Sequence, residues 1–285
     1  MRRVILCPNP FKDRDLEVTR EAMALLAGAG FEVCVCPELL DDLPDGLPAD
    51  VPLSSLYDVI DGASLVVSLG GDGTIMHTAR RVFGCDIPII GVNLGTVGFL
   101  AELERGDLPQ LIDAAEGRFT PSSRMMLKVE LLRGGEIVFS NYALNDVALH
   151  GIVQTIHMTA RGDDRKILEF SGDGVVVSSP TGSTAYSMSA GGPIVEPTAN
   201  NLILTPICAH ALIARSFVLA SDRVVTVQVT DLRGRAFISA DGGYFDVLDG
   251  DVLRVCKAEH RTLIAHVGEK AFYDIVFEKL GEAKQ

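Results

Sequence analysis

The chain has 285 residues, 47% of them apolar, which suffices for one large domain or two modest ones and excludes wholesale disorder. With 25 Lys and Arg against 38 Asp and Glu, the net charge is −13; such a surface repels nucleic acid and anionic membrane, and the isolated pairs Arg2–Arg3 and Arg80–Arg81 make no basic patch. No apolar run approaches the ~20 residues of a membrane span, and the apolar run of MRRVILCPNPF is too short for a secretory signal.

Val4–Cys7 reads as a short strand ended by PNP. Leu16, Thr19, Met23 and Leu26 follow helical spacing, and Gly28 and Gly30 close that helix. Val33–Cys36 is the next strand, and Glu38–Pro52, rich in Pro, Asp and Leu, is a loop. Leu65–Leu69 and Ile87–Val92 are continuous apolar strands, as expected where both sheet faces are covered. Ile75–Phe83 and Leu108–Gly117 read as helices, with Thr74 as N-cap of the first. This alternation predicts an α/β domain, a doubly wound, mostly parallel sheet over 1–122.

After Thr120-Pro121 the pattern changes. MLKVELLR, Gly134-Gly135 and EIVFSNYALNDVALH read as a hairpin, and six further short strands follow between turn signals. We expect a second, mainly β, sandwich-like domain over 123–267. The amphipathic tail KAFYDIVFEKL is expected to be helical, so that 268–285 joins the first domain. The six cysteines form neither C-x-x-C nor a zinc set with histidine, so we expect no protein-bound metal cluster and a cytoplasmic chain with reduced thiols.

The stretch LVVSLGGDGTIMHTAR places Gly70, Gly71 and Gly73 around Asp72, between a buried strand and a helix start. Such a turn suits a phosphate, because glycines allow close backbone approach and a helix N-terminus is positive. It is neither G-x-G-x-x-G nor a Walker A loop. Read alone, it is equally a tight turn with Asp72 solvated at its tip. A carboxylate there can also receive the proton of an attacking hydroxyl in phosphoryl transfer.

Three more motifs carry chemistry. GVNLGTVGFL follows a buried strand, at the carboxyl end of the sheet where ligands bind; Phe99 belongs either to that site or to the core. In LNDVALH, Asn145 and Asp146 interrupt an apolar strand; the amide suits an adenine edge and the carboxylate suits ribose hydroxyls, unless both mark a bulge. DGVVVSSPTGSTAYSMSAGGPIVEP gathers Ser183, Thr184, Tyr186, Ser187 and Ser189 on a small-residue segment, where Tyr186 can stack on a base.

GGDGT is similar to the turn of a superfamily that holds NAD kinases, 6-phosphofructokinases and diacylglycerol-type lipid kinases. With NLGTVGFL, LNDV and DGVVVSSPTGSTAYSMSAGGPI in that order, and with TPICAHALIARSFVL and Ala240-Asp241-Gly242 behind them, the chain closely resembles the NAD kinase family from about Leu65 to its tail. The resemblance implies Mg²⁺-dependent (or other divalent) transfer of the ATP γ-phosphate to the adenosine-ribose 2′-hydroxyl of NAD, giving NADP and ADP. It implies Asp72 as the catalytic carboxylate, Gly71, Gly73 and Thr74 at the phosphates, and Phe99 beside the adenosine. It further implies Asn145, Thr181, Thr184, Ala185, Tyr186 and Ser189 around NAD, Asp146 on the ribose hydroxyls and Asp173 at the nicotinamide carboxamide. A homodimer or homotetramer is implied, with no nucleic-acid or membrane partner. Two positions depart from the usual pattern: Ser171 stands where Arg is common, which bears on NAD against NADH, and Asp146 where Glu is more usual. A lipid kinase with the same turn and a non-catalytic dinucleotide sensor are the alternatives.

Overall fold

The computed structural model describes residues 2–37, 51–95, 98–211, 215–268 and 270–281. Residues 38–50 of the expected loop, Thr96 and Val97 of NLGTVGFL, and 212–214 of TPICAHALIARSFVL lie outside the described residues. The chain forms two compact units, Met1–Ser123 with Thr262–Gln285, and Arg124–Arg261.

The first unit opens with β1 (Arg3–Pro8), α1 (Glu17–Gly28), β2 (Glu32–Val35), a single turn α2 (Leu56–Val59), β3 (Ala63–Gly70), α3 (Asp72–Arg81), β4 (Ile89–Asn93), the two-residue β5 (Leu103–Glu104) and α4 (Gln110–Ala115). The strands lie in the order β2-β1-β3-β4-β5, every pair parallel. Parallel strands need helical crossovers that cover the sheet, which is why β1, β3 and β4 are mostly apolar and buried almost without interruption. Leu6, Leu65, Val67 and Ile90 from the strands share one buried cluster with Val18, Ala22 and Leu26 of α1 and Leu111 of α4. Gly30, at φ +87°, ends the α1 segment where an L side chain would be strained.

The start of α1 depends on Asp13, which is buried. Its carboxylate accepts the N–H groups of Val18 (3.0 Å) and Thr19 (2.9 Å) and the Thr19 hydroxyl, satisfying donors that a helix start leaves open. Helix α3 begins at Asp72 rather than Ile75. Gly71 is its N-cap residue and Thr74 sits one turn inside, correcting the expected N-cap.

The second unit is built from β6 (Thr120–Arg133, its first four residues belonging to the first unit), β7 (Glu136–Ala143), β8 (Asp146–Ile152), β9 (Ile156–Gly162), β10 (Arg165–Gly172), β11 (Gly174–Ser178), the turn α5 (Tyr186–Ser189), β12 (Asn201–Ile207), β13 (Phe217–Ala220), β14 (Val225–Asp231), β15 (Arg235–Ala240), β16 (Gly243–Val247) and β17 (Val252–His266). Six strands form an antiparallel sheet in the order β13-β12-β11-β8-β15-β16, while β10, β9, β14 and β17 pair antiparallel in a second layer. Val147, Val175, Leu204 and Ile238 of one layer and Met158, Val227 and Leu253 of the other enter a single buried cluster, the packing of a sandwich.

Strands β6 and β7 form the expected hairpin over Gly134 and Gly135, at φ +59° and +89°. The hairpin does not run on through LNDVALH, however: β8 leaves it to pair with β11 and β15. From Thr262 the chain rejoins the first unit, earlier than the expected boundary at 268. Ile264 pairs parallel with Ile89, and α6 (Phe272–Gly281) closes the chain.

Replacing Asp13 with Ala leaves the α1 donors without their acceptor and is expected to lower stability by about 1–2 kcal/mol. Urea unfolding read by far-UV circular dichroism measures it; a midpoint equal to the unmodified protein's would show that α1 holds without this cap.

Candidate active site

The glycine turn of the first unit is fixed from inside. The Thr74 hydroxyl is buried and accepts the Gly71 N–H (3.3 Å) and the Asn9 side-chain amide (3.4 Å). A β-carbon at Gly70 would lie 2.2 Å from that oxygen, so Gly70 must be glycine for Thr74 to fit. Leu94 N–H bonds the Gly70 carbonyl at 2.6 Å, tying the loop after β4 to the same turn. Thr74 thus shapes the turn from below, while Gly73 is exposed and a β-carbon there would meet nothing within 4 Å among the described residues.

Asp72, the first residue of α3, is not a solvated tip. Its carboxylate accepts three consecutive backbone N–H groups, from Phe99 (2.6 Å), Leu100 (3.1 Å) and Ala101 (3.3 Å). The loop of GVNLGTVGFL therefore supplies a nest for the carboxylate. Gly98 is required by this approach, since a β-carbon there would stand 1.7 Å from Asp72 Oδ1. The Phe99 ring is half-buried, not in the core, and the Lys279 ammonium of α6 lies 4.2 Å from its centroid. Burial draws Lys279 below the usual lysine range, while Asp72 opposes that shift. Phe99, Leu100, Ala101, Lys270 and Lys279 line a cavity of about 520 Å³ in this unit. Glu102 anchors the segment ahead of α6 by accepting from Gly268 N–H (2.6 Å) and pairing with His266 (2.7 Å).

In the second unit a different carboxylate plays the organising part. Asp241, at φ +42° in a turn, accepts the N–H groups of Leu144 (2.5 Å), Asn145 (3.2 Å) and Asp146 (3.2 Å). The β7 ladder ends just before them, at Ala143, so Asp241 holds the backbone where the chain leaves the hairpin. Ser179 N–H bonds the Asn145 carbonyl at 2.8 Å. A β-carbon at Gly182 would lie 2.1 Å from that carbonyl, so the SSPTGSTAY segment packs directly on Asn145. Burial and the neighbouring Asp241 charge push Asp146 up to about 7, opposed by a hydrogen bond from the Tyr186 N–H.

The small-residue segment sorts into two sets. Ser183 exchanges hydrogen bonds with the Val195 backbone and Ser187 bonds Thr205, so both are interior struts. Thr181 and Thr184 are buried, Ala185 is half-buried, and Tyr186 and Ser189 are exposed. The Thr181 hydroxyl is buried with no hydrogen-bond partner among the described residues, a costly arrangement that a ligand would relieve. The Tyr186 ring is stacked on His150, which is stacked in turn on Phe237, each pair 5.3 Å between centroids. His150, Asp173, Tyr186 and Ile207 line a cavity of about 370 Å³. The Cys208 thiol bonds the Asp173 carboxylate, which pushes Cys208 upward. The Ser171 hydroxyl is taken by His157 Nδ1 at 2.8 Å.

Within the first unit the structure gathers Gly71, Asp72, Gly73, Thr74 and Phe99. Within the second it gathers Asn145, Asp146, Asp173, Thr181, Thr184, Ala185, Tyr186 and Ser189. Lys279 and the Asp241 contacts escaped the sequence reading. The Asp241-Gly242 turn was visible as a motif, but nothing local connects it to residues 144–146.

The known proteins most informative about this arrangement agree with one another. Residues 4–117 match the ATP-NAD kinase N-terminal domain and residues 144–267 the ATP-NAD kinase C-terminal domain. The chain is 35% identical to the NAD kinase of Acetivibrio thermocellus over 98% of its own length and 97% of that protein's. It is 39% identical to that of Heliobacterium modesticaldum over 85% and 90%. A crystal structure of yeast NADH kinase complexed with NADH superposes with a TM-score of 0.84 at 25% identity, covering all of this chain and 89% of that one. An Archaeoglobus fulgidus NAD kinase in complex with ATP shares the fold over the full length of both chains, with a TM-score of 0.73 at 23% identity.

Asp146 makes stability depend on pH in a definite sense. The folded chain keeps its proton up to about pH 7, whereas the unfolded chain releases it near the usual carboxylate value of about 4. This contribution is full below about pH 4 and is lost as pH rises through about 7. Unfolding midpoints in urea from pH 4 to pH 8 should fall less steeply for Asp146→Asn than for the unmodified protein, and equal slopes would show that folding does not raise the Asp146 carboxyl.

Proposed function

This chain belongs to the NAD kinase family, ATP-dependent enzymes that phosphorylate NAD to NADP, and from that premise we propose that Asp72 receives the proton of the attacking hydroxyl. The lipid-kinase and sensor alternatives find no support among these relatives. The observation that carries the residue assignment is the grip of three consecutive N–H groups on the Asp72 carboxylate beside a glycine turn. It fixes the carboxylate in position before any substrate arrives, which phosphoryl transfer requires, since catalysis there is mostly positioning and charge stabilisation.

The adenosine-ribose 2′-oxygen forms a bond to the γ-phosphorus of ATP. The bond from that phosphorus to the β,γ-bridging oxygen breaks, and its electron pair leaves with ADP. The hydroxyl proton passes to Asp72. Gly71 and Gly73 take the phosphates on the turn, Thr74 supports it from inside, and Phe99 borders the adenosine. In the second unit, Asn145, Thr181, Thr184, Ala185, Tyr186 and Ser189 bind NAD. The orphaned Thr181 hydroxyl and the exposed part of the Tyr186 ring support this reading. Asp146 holds ribose hydroxyls and Asp173 the nicotinamide carboxamide.

A divalent ion, Mg²⁺ by default, fits as a companion of the nucleotide. Among the described residues no three His, Cys, Asp or Glu side chains gather as a metal cage, and Mg²⁺ characteristically binds through substrate phosphates with one or two carboxylates. When bound, it would neutralise charge on the β- and γ-phosphates. We place the enzyme in the cytoplasm; cysteines that form no disulfide among the described residues agree with a reducing compartment. We also read it as a homodimer or homotetramer, since β13 and β16 bear Val218 and Tyr244, 53% and 78% exposed.

Asp72→Asn should lower the rate of NADP formation from ATP and NAD by at least about 10²-fold while NAD binding by calorimetry persists. Near-normal turnover would refute the base assignment. Gly98→Ala forces a β-carbon against the Asp72 carboxylate and should cut kcat by about 10²-fold with KM for NAD little changed, as a 1 Å misplacement can; an unchanged kcat would show that Asp72 need not be held there.

A further inference from the structure

We propose that Lys12 binds the phosphate chain of the donor, an assignment that rests on reading the first unit as the donor side of the enzyme. The argument begins at the end of β1. Asn9 N–H bonds the Leu69 carbonyl at 2.9 Å, and the Asn9 carbonyl accepts Lys12 N–H (3.0 Å) and Asp13 N–H (2.9 Å). The Asn9 side chain accepts Phe11 N–H at 3.0 Å and reaches the Thr74 hydroxyl. Buried Asp13, capping α1, fixes the other end. The turn carrying Lys12 is thus tied to β3, α3 and α1 at once.

That scaffold sets the Lys12 ammonium over the glycine turn. A β-carbon at Gly71 would lie 2.5 Å from Nζ, and one at Gly95 would lie 3.6 Å away. The cation stands where two glycines clear the backbone, beside the helix start already assigned to phosphate. It forms no ion pair among the described residues, although the chain is strongly acidic. Its neighbour Glu17 is committed instead to Arg105, at 2.7 Å. Asp72 is committed to its three N–H groups. A cavity of about 500 Å³ opens here, lined among others by the cations Lys12, Arg14 and Arg105 and the carboxylates Asp13, Glu17 and Glu104, with no aromatic side chain among the described residues of its wall. Asp13 is committed to the α1 donors and Glu17 to Arg105, which leaves the Lys12 ammonium facing the glycine turn, and the wall offers no platform for a base. Lys12 also answers how a carboxylate and a phosphate can share one turn: it supplies the compensating charge that the glycines cannot.

Two sources carry this chemistry, the triphosphate of ATP and an inorganic polyphosphate. Steady-state kinetics on the unmodified enzyme, Lys12→Met and Lys12→Arg, with melting temperatures to confirm folding, test the proposal. Lys12→Met should raise KM for ATP about tenfold or more with KM for NAD within about twofold, and Lys12→Arg should restore most of the loss. Calorimetric binding of inorganic tripolyphosphate, which needs no turnover, should weaken in parallel. An unchanged KM for ATP, or a loss with ATP while tripolyphosphate binding stays intact, would overturn the assignment. An unmodified enzyme that made no NADP would defeat the family reading instead, and the tripolyphosphate measurement would still decide on Lys12.

Discussion

The first unit depends on one interaction, a carboxylate closing on the N–H groups of three successive residues. Asp72 at the head of α3 and Phe99–Ala101 after β4 are brought together because β3 and β4 are adjacent parallel strands, both of whose carboxyl ends open on the same edge. The sheet dictates the proximity, Gly98 removes the side chain that would block it, and the Thr74 hydroxyl keeps the turn below from spreading. A carboxylate held this way spends its own charge on donors that do not move. It is held by backbone donors, and the compensating charge for a phosphate on the same turn falls, in our proposal, to Lys12.

The second unit uses the same chemistry for another end. Asp241 also accepts three consecutive N–H groups, of Leu144, Asn145 and Asp146, and by doing so it stops one strand and starts another in the opposite layer. One charge-assisted device thus fixes a carboxylate beside the glycine turn in the first unit and ends a strand in the second. The consequence is electrostatic as well as geometric. Burial, with the Asp241 charge beside it, pushes Asp146, the residue that interrupts LNDV, up to about 7.

Glycines in this chain are informative where another atom uses the space. Gly70 yields to Thr74, Gly71 to Lys12, Gly98 to Asp72 and Gly182 to Asn145. Gly73, in the same motif, has open space beside it. Motif glycines that look alike in the sequence therefore do different work, and the difference is set by what packs against each of them from distant parts of the chain.

Much of the architecture was legible in the residues alone. Continuous apolar runs at Leu65–Leu69 and Ile87–Val92 announce a parallel sheet because only a doubly covered strand dispenses with polar alternation. The glycines and turn signals placed the strand–turn–helix around Asp72 and the double-glycine hairpin at 134–135, since such conformations are local. What local pattern could not give was the exit of β8 from its hairpin, the start of α3 at Asp72, the placement of Phe99 under Lys279, or the station of Lys12 over Gly71. Each of these involves a contact between residues far apart in the chain, from Asp72 with Phe99 to Phe99 with Lys279. Their energies depend on which backbone donors and charges the folded sheets bring within hydrogen-bond range, and that is a property of the tertiary structure, not of spacing along the chain.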